Sequence, residues 1–254
     1  MNHLLNISRS GINGLQKKLD VTAQNLANVN TVGYKHKTLQ FKELLNNPIN
    51  AQAPANQNAL PAAINRGTKA EEEQNLFQSG SLSETGNTWD FAISKESFFG
   101  VRDQNGQLLL TKDGAFHQNE TGALVNQSGQ TVEVVAIIPT NQWPKGETHV
   151  DPSGNITIKQ GANYLQVGRL QTYQATNEND LQAVGNNTYQ LNPTGQLIQN
   201  PINATIHQGV LEQSTTDVAQ TMTEMMVTQR AYSLNTRALQ STDEMFSTIN
   251  RLTD

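Results

Sequence analysis

The chain has no cysteine, which excludes disulfides, thiolate nucleophiles and thiolate metal sites. It leaves the redox compartment open, because some extracellular proteins do without disulfides. Aromatic residues are also scarce, at 6%, and apolar residues make up 35% of 254 positions, against a usual share of roughly half. Asn, Gln, Thr and Ser fill much of the remainder, so a thick core is out of reach. Either part of the chain stays unfolded alone or partners supply some of its burial. The formal net charge of −5 argues against a nucleic-acid binder.

No run approaches the roughly 20 apolar residues of a membrane helix, so no transmembrane segment is expected. The N-terminal MNHLLNISRSGINGLQKK places its first basic residues after its first leucines. It holds no apolar run of about 7–15 residues ahead of a small-residue cleavage site, so any export is expected to proceed without a cleaved leader. Catalytic signatures are missing as well. The five histidines, His3, His36, His117, His149 and His207, fall in separate segments without ligand-pair spacing. GxSxG, GxGxxG and GxxxxGK[ST] do not occur. Asp103, Asp113 and Asp151 sit beside turns, where their side chains bond the backbone. We expect no catalytic residue, no cofactor and no metal.

What the chain does have is concentrated at its ends. Residues 1–30 and about 216–252 contain no proline and carry apolar positions at helical spacing. In the first segment Leu5, Ser8, Ile12, Leu15, Leu19, Thr22, Leu26 and Val29 step by three and four, with Ser8 and Thr22 as polar layers. Gly11 and Gly14 each weaken a solitary helix by about 1 kcal/mol and suit a site where another backbone comes close. This helix should end between Asn28 and Gly33, with Asn30 and Gly33 left-handed. An extended stretch then follows, with Lys35 and Lys37 facing solvent. In the last segment Val218, Met225, Tyr232, Leu239 and Phe246 recur every seventh residue, broadened by Met222, Met226, Ala238, Met245, Ile249 and Leu252. Thr216 or Asp217 is the expected N-cap.

Between the ends, residues 46–63 are rich in Asn, Ala, Gln and Pro and read as a loop or flexible arm. From residue 76 onward short β-runs dominate, at 91–93, 98–101, 108–111, 131–138, 155–159, 164–173 and 188–191. Turn pairs such as Asn105-Gly106, Thr121-Gly122, Ser128-Gly129 and Ser153-Gly154 separate them. The expected fold is mixed α and β: long terminal helices paired as a coiled coil, with an irregular, mostly antiparallel β-domain between them. The expected division is 1–42 with 210–254 as the helical part, 43–75 as arm and 76–209 as β-body. The helical stripes make Leu5, Ile12, Leu15, Leu19, Leu26, Val29, Val218, Met222, Met225, Tyr232, Leu239, Phe246 and Ile249 the expected assembly interface.

Three segments carry a resemblance. SGINGLQKKLDVTAQNLANVNTVGYKHKTLQF at 10–41 resembles the N-terminal signature of the bacterial flagellar rod and hook family, with a Leu-Asp pair, an ANN-like stretch and an aromatic-Lys after glycine. Residues 76–132 resemble the family's central region, and QGVLEQSTTDVAQTMTEMMVTQRAYSLNTRALQSTDEM at 208–245 its C-terminal signature. Two departures stand out: Ser94-Lys95-Glu96-Ser97 replaces a glycine-bearing turn, and Ser214-Thr215-Thr216-Asp217 replaces Ser-Asn-Val-Asp. The resemblance implies a basal-body rod subunit, similar to the distal-rod or a neighbouring proximal-rod member. It would be exported by the flagellar type III machinery and polymerise as a homo-oligomeric helical rod that transmits torque to the hook. Other rod proteins and the hook protein would be its neighbours. The competing readings are a junction or surface-filament structural protein and, less favoured, a wall-degrading hydrolase.

Overall fold

In the computed structural model, the structure describes residues 2–45, 65–70, 73–94 and 96–253. The expected arm at 46–63 lies outside the described residues, as do the side chains of Leu5, Phe246 and Ile249. The chain divides into two compact units, one made of Met1–Ala27, Lys37–Asn75 and Asp217–Asp254, the other of Asn28–His36 and Leu76–Thr216.

The first unit is built on two helices, α1 (Asn2–Ala27) and α2 (Val218–Thr253), which pack together. The N-cap of α2 is Asp217, whose Oδ1 accepts the Gln220 N–H at 3.0 Å, satisfying one of the helix's orphan donors. A hairpin of Phe41–Leu45 and Asn65–Ala70 lies against α1. The two helical glycines serve different neighbours. A Cβ on Gly14 would sit 2.7 Å from the Phe41 ring, whereas one on Gly11 would meet Asn235 of α2 at 3.8 Å. The close approach at Gly14 is therefore to an aromatic ring of the hairpin, not to another backbone. Below it, Ser10 Oγ donates to Ile7 O at 2.8 Å and accepts the Thr68 N–H at 3.2 Å. Asn25, buried in α1, donates to Lys37 O at 2.8 Å and accepts the Lys37 N–H at 3.0 Å. That paired bond fixes the strand Lys37–Thr38, which runs antiparallel to Gln74–Asn75.

The second unit is antiparallel throughout its described strand pairs. A nine-stranded sheet centres on Phe98–Arg102 and Leu108–Thr111, and a four-stranded sheet on Asn155–Gln160 and Asn163–Leu170. Alternation along the central strands divides the core. Phe99, Val101 and Leu109 join one cluster with Phe91, Ile156 and Leu170, while Phe98 and Leu110 join another with Phe77, Tyr173 and Tyr189. A strand that buries both faces reads as a continuous apolar run, as FFGV does here.

Two of the expected strands are each broken in two. The run at 131–138 forms Thr131–Val132 and Val134–Ala136, and that at 164–173 forms Asn163–Leu170 and Thr172–Ala175. The breaks fall at Glu133 and Gln171, which face each other: Gln171 donates its N–H to Glu133 O at 2.9 Å. Val132 pairs with Val101 in the larger sheet and Val134 with Leu170 in the smaller one. These two residues are thus the corners at which neighbouring chain segments change sheets.

Four hairpin loops repeat one device. Asp103, Asn119, Asn126 and Asp151 each use Oδ1 to accept backbone N–H groups two and four residues on, at 2.8–3.1 Å. A left-handed glycine follows three residues after each, at Gly106, Gly122, Gly129 and Gly154. The Asx residue stabilises the turn and the glycine absorbs the positive φ.

Candidate assembly interface

The helical unit places the expected interface residues in three groups. Ile12, Leu15, Leu19, Leu26, Met225, Tyr232 and Leu239 are half-buried, while Val218 and Met222 are exposed. Val29, also half-buried, belongs to the β unit. The deepest described side chains of α2 are not in the seven-residue apolar stripe. They are Thr221 and Thr228, one heptad apart, at 1% and 3% exposure. Thr228 tolerates burial because its Oγ1 donates to Glu224 O at 2.7 Å. Thr22 of α1, equally buried, bonds Lys18 O in the same way. This back-bonding lets a threonine behave as a small, nearly apolar side chain.

The larger apolar side chains of α2 lie on its exterior. Met226, Val227, Leu234 and Met245 are all more than half exposed, with Leu234 at 65%. At 100° per residue, Val227, Leu234 and Met245 fall on one line, well away from the Thr221–Thr228 line. Met222 and Met226 form a second line at i, i+4 spacing. Val227 and Leu234 escaped the sequence reading because they lie off the seven-residue stripe. Their signal was a second apolar register, itself seven residues apart.

In the β unit the lysine after Gly33-Tyr34 corrects an expectation. Lys35 is 1% exposed, not solvent-facing. Its Nζ sits 2.7 Å from Glu212 Oε1 and donates to Gln78 O at 2.7 Å. The same Glu212 oxygen accepts the Gly80 N–H at 2.7 Å. Around this pair the segment 28–36 is tied to 210–216. Gly33 N–H bonds Glu212 O, Thr215 N–H bonds Tyr34 O, and His36 N–H bonds Thr215 Oγ1. Gly33 is left-handed, and a Cβ there would sit 2.5 Å from the Lys112 carbonyl. Asn30 is not left-handed: of the two successive turns here, closed by Thr31 N–H to Asn28 O and Tyr34 N–H to Thr31 O, only the second uses a positive φ, at Gly33.

Lys112 is buried alongside. It donates to Ser94 O at 3.0 Å and lies 4.9 Å from the centre of the Phe98 ring. Desolvation lowers its pKa to about 7, with the charge of Lys35 pushing the same way and that of Glu212 opposing it. These groups are closed off from solvent and hold the β unit together. Three carboxylates, Asp90, Glu120 and Glu147, line a cleft together with Trp89 and Trp143. Asp90 accepts from Thr85 Oγ1 at 2.5 Å and from Asn87 Nδ2 at 3.0 Å, and Glu120 and Glu147 are exposed.

Comparison with known proteins agrees with this picture of a chain built for assembly. A family described as "Flagella basal body rod protein" matches residues 5–35, and "Flagellar basal body rod FlgEFG protein C-terminal" matches residues 207–252. The chain is 31% identical to the flagellar basal-body rod protein FlgG of Agrobacterium fabrum over 259 residues, covering 97% of this chain and 98% of that protein. Similarity to FlgG of Buchnera aphidicola from Schizaphis graminum is 30%, with the same coverage. To the flagellar hook-basal body complex protein FlhP of Bacillus subtilis it is 28%, covering 94% and 95%. The chain belongs to the flagellar basal-body rod protein family. It is a structural rod subunit of the flagellar basal body.

Proposed function

We propose that the outer face of α2 is the surface through which copies of this chain join one another in the rod. The observation carrying this reading is the pairing of a threonine-lined inner seam with exposed Met226, Val227, Leu234 and Met245. A monomeric helix normally turns its large apolar side chains inward. Here small polar residues hold the helix pair, and the apolar area is left for a neighbour. At roughly 25 cal/mol per Å2 of apolar surface, burying several such side chains on each copy outweighs the cost of association. A head-to-tail contact that does not close into a ring then extends as a helix. Met222 extends this surface through Met226, one turn on, and Val218 stands exposed at the start of the helix. Ile12, Leu15, Leu19, Leu26, Met225, Tyr232 and Leu239 support it from the α1–α2 seam.

In this reading other rod proteins and the hook protein are the axial neighbours. The flagellar type III machinery delivers the chain, and the assembled rod carries torque to the hook. The test uses single cysteines in a background with none. With cysteine at Leu234, intact basal bodies treated with a bifunctional maleimide yield crosslinked multimers of this chain. With cysteine at Thr228 they yield none, because that position is enclosed within one copy. Monomer from both, or multimers from Thr228 alone, overturns the assignment. In parallel, Val227→Ser with Leu234→Ser should abolish sedimentable polymer while changing monomer stability by less than about 0.5 kcal/mol.

A further inference from the structure

We propose that a cleft in the β unit, distinct from the assembly surface, binds an oligosaccharide of N-acetylated sugars. The cleft has a volume of about 700 Å3, within the usual range for ligand sites. Loops 87–90, 118–122 and 140–148 form its walls. Both tryptophans of the chain converge there. Trp89 and Trp143 stack with centroids 6.3 Å apart and planes 25° from parallel. The Trp143 Nε1–H already donates to Ile138 O at 2.8 Å, and both half-buried rings also pack against the core around Phe91, so the part of each ring that lines the cleft is the surface open to a ligand.

Around the rings the lining is rich in amides and hydroxyls, including the exposed side chains of Gln118, Asn141 and Thr121, and it carries the carboxylates of Asp90, Glu120 and Glu147, which can accept hydroxyl groups and repel an anion. Lys145 is the only cation among the lining residues, and no arginine or histidine is present. That set does not suit a phosphate or nucleotide, which requires clustered positive charge or a nest of N–H groups. It suits a neutral ligand with apolar faces, hydroxyls and amides. Sugar rings present C–H faces to indoles, and acetamido groups exchange hydrogen bonds with Asn and Gln. A peptide added as a strand fits less well. The neighbouring strand Thr148–Val150 has its Val150 N–H bonded by Gln208 Oε1 at 3.0 Å and its Thr148 carbonyl by Gln208 Nε2 at 3.1 Å. That closes an edge such a peptide would need.

Because the chain has no tryptophan outside the cleft, its emission reports directly on occupancy. Titration of the full chain with chitotetraose should give a saturable change in Trp emission with a Kd of about 1 mM or tighter. Asn141→Ala and Gln118→Ala, both at exposed positions, should each weaken it about fivefold, as loss of one hydrogen bond implies. A flat titration overturns the proposal. So does saturable binding that both variants leave unchanged, or an equal response to tetra-alanine, which would make the cleft a peptide site.

Discussion

The two units of this chain treat polarity in opposite ways. The β unit buries Phe91, Phe98 and Phe99 together with a lysine, a glutamate and a second lysine. The helical unit buries threonines and an asparagine beside Val21 and Ala70, and α2 exposes methionine, valine and leucine. In the β unit the charges of Lys35, Glu212 and Lys112 are sealed within one copy, while Ile137, Tyr164 and Ile202 stand exposed at its surface. In the proposed assembly, other copies cover the apolar groups that the helical unit leaves exposed, Met226, Val227, Leu234 and Met245 among them.

The sharpest way to break that comparison is at the sealed pair. Glu212→Ala leaves Lys35 buried without its carboxylate, so the β unit should lose about 3–5 kcal/mol. Urea unfolding followed by emission of Trp89 and Trp143, both in that unit, measures it. Lys35→Met combined with Glu212→Leu should recover much of the loss, because the buried charges go together. A loss of less than about 1 kcal/mol for Glu212→Ala would mean that the pair behaves like a surface ion pair.

Next in size is the pH dependence set by Lys112. Its pKa in the folded protein is lowered to about 7 from 10.5. Between those values the unfolded chain holds a proton that the folded one has released, so stability rises as pH rises across this window. Below about 7 both states are protonated and the full penalty applies. Relative to Lys112→Met, the unmodified chain should gain about 4 kcal/mol between pH 7 and 10.5. Parallel curves for the two proteins would show that Lys112 has an ordinary pKa.

In the helical unit the expected effects are smaller, because less is enclosed. Asp217→Ala removes the N-cap and should cost about 1 kcal/mol, read as faster hydrogen exchange in the first turn of α2. The serine substitutions at Val227 and Leu234 should be nearly silent in the monomer and decisive in the polymer. A large monomer effect from them would erase the contrast between the units.

Much of this was legible from residue types. Spacing of apolar residues located both helices, and Asp217 marked the start of the second. The strands at 91–93, 108–111 and 188–191 have the bounds that their β-branched and aromatic content suggests. The Asx hairpins could be read from an Asp or Asn three residues before a glycine. The breaks at Glu133 and Gln171 could not, because changing sheets depends on partners far along the chain. Nor could the position of Lys35, whose local sequence GYKHK looks like a solvated strand.

Local propensity and periodicity therefore determined the helices, the turns and the polarity of this chain, since those depend on neighbours within a few residues. Which side of α2 faces inward was decided by tertiary packing. A helix with two apolar registers and one threonine register does not choose among them alone. The choice depends on which face the side chains of α1 can meet at close range, and small side chains such as Thr221 and the back-bonded Thr228 allow the closest approach. The burial of Lys35 was decided the same way, by a carboxylate 177 residues distant that only the folded chain brings within reach.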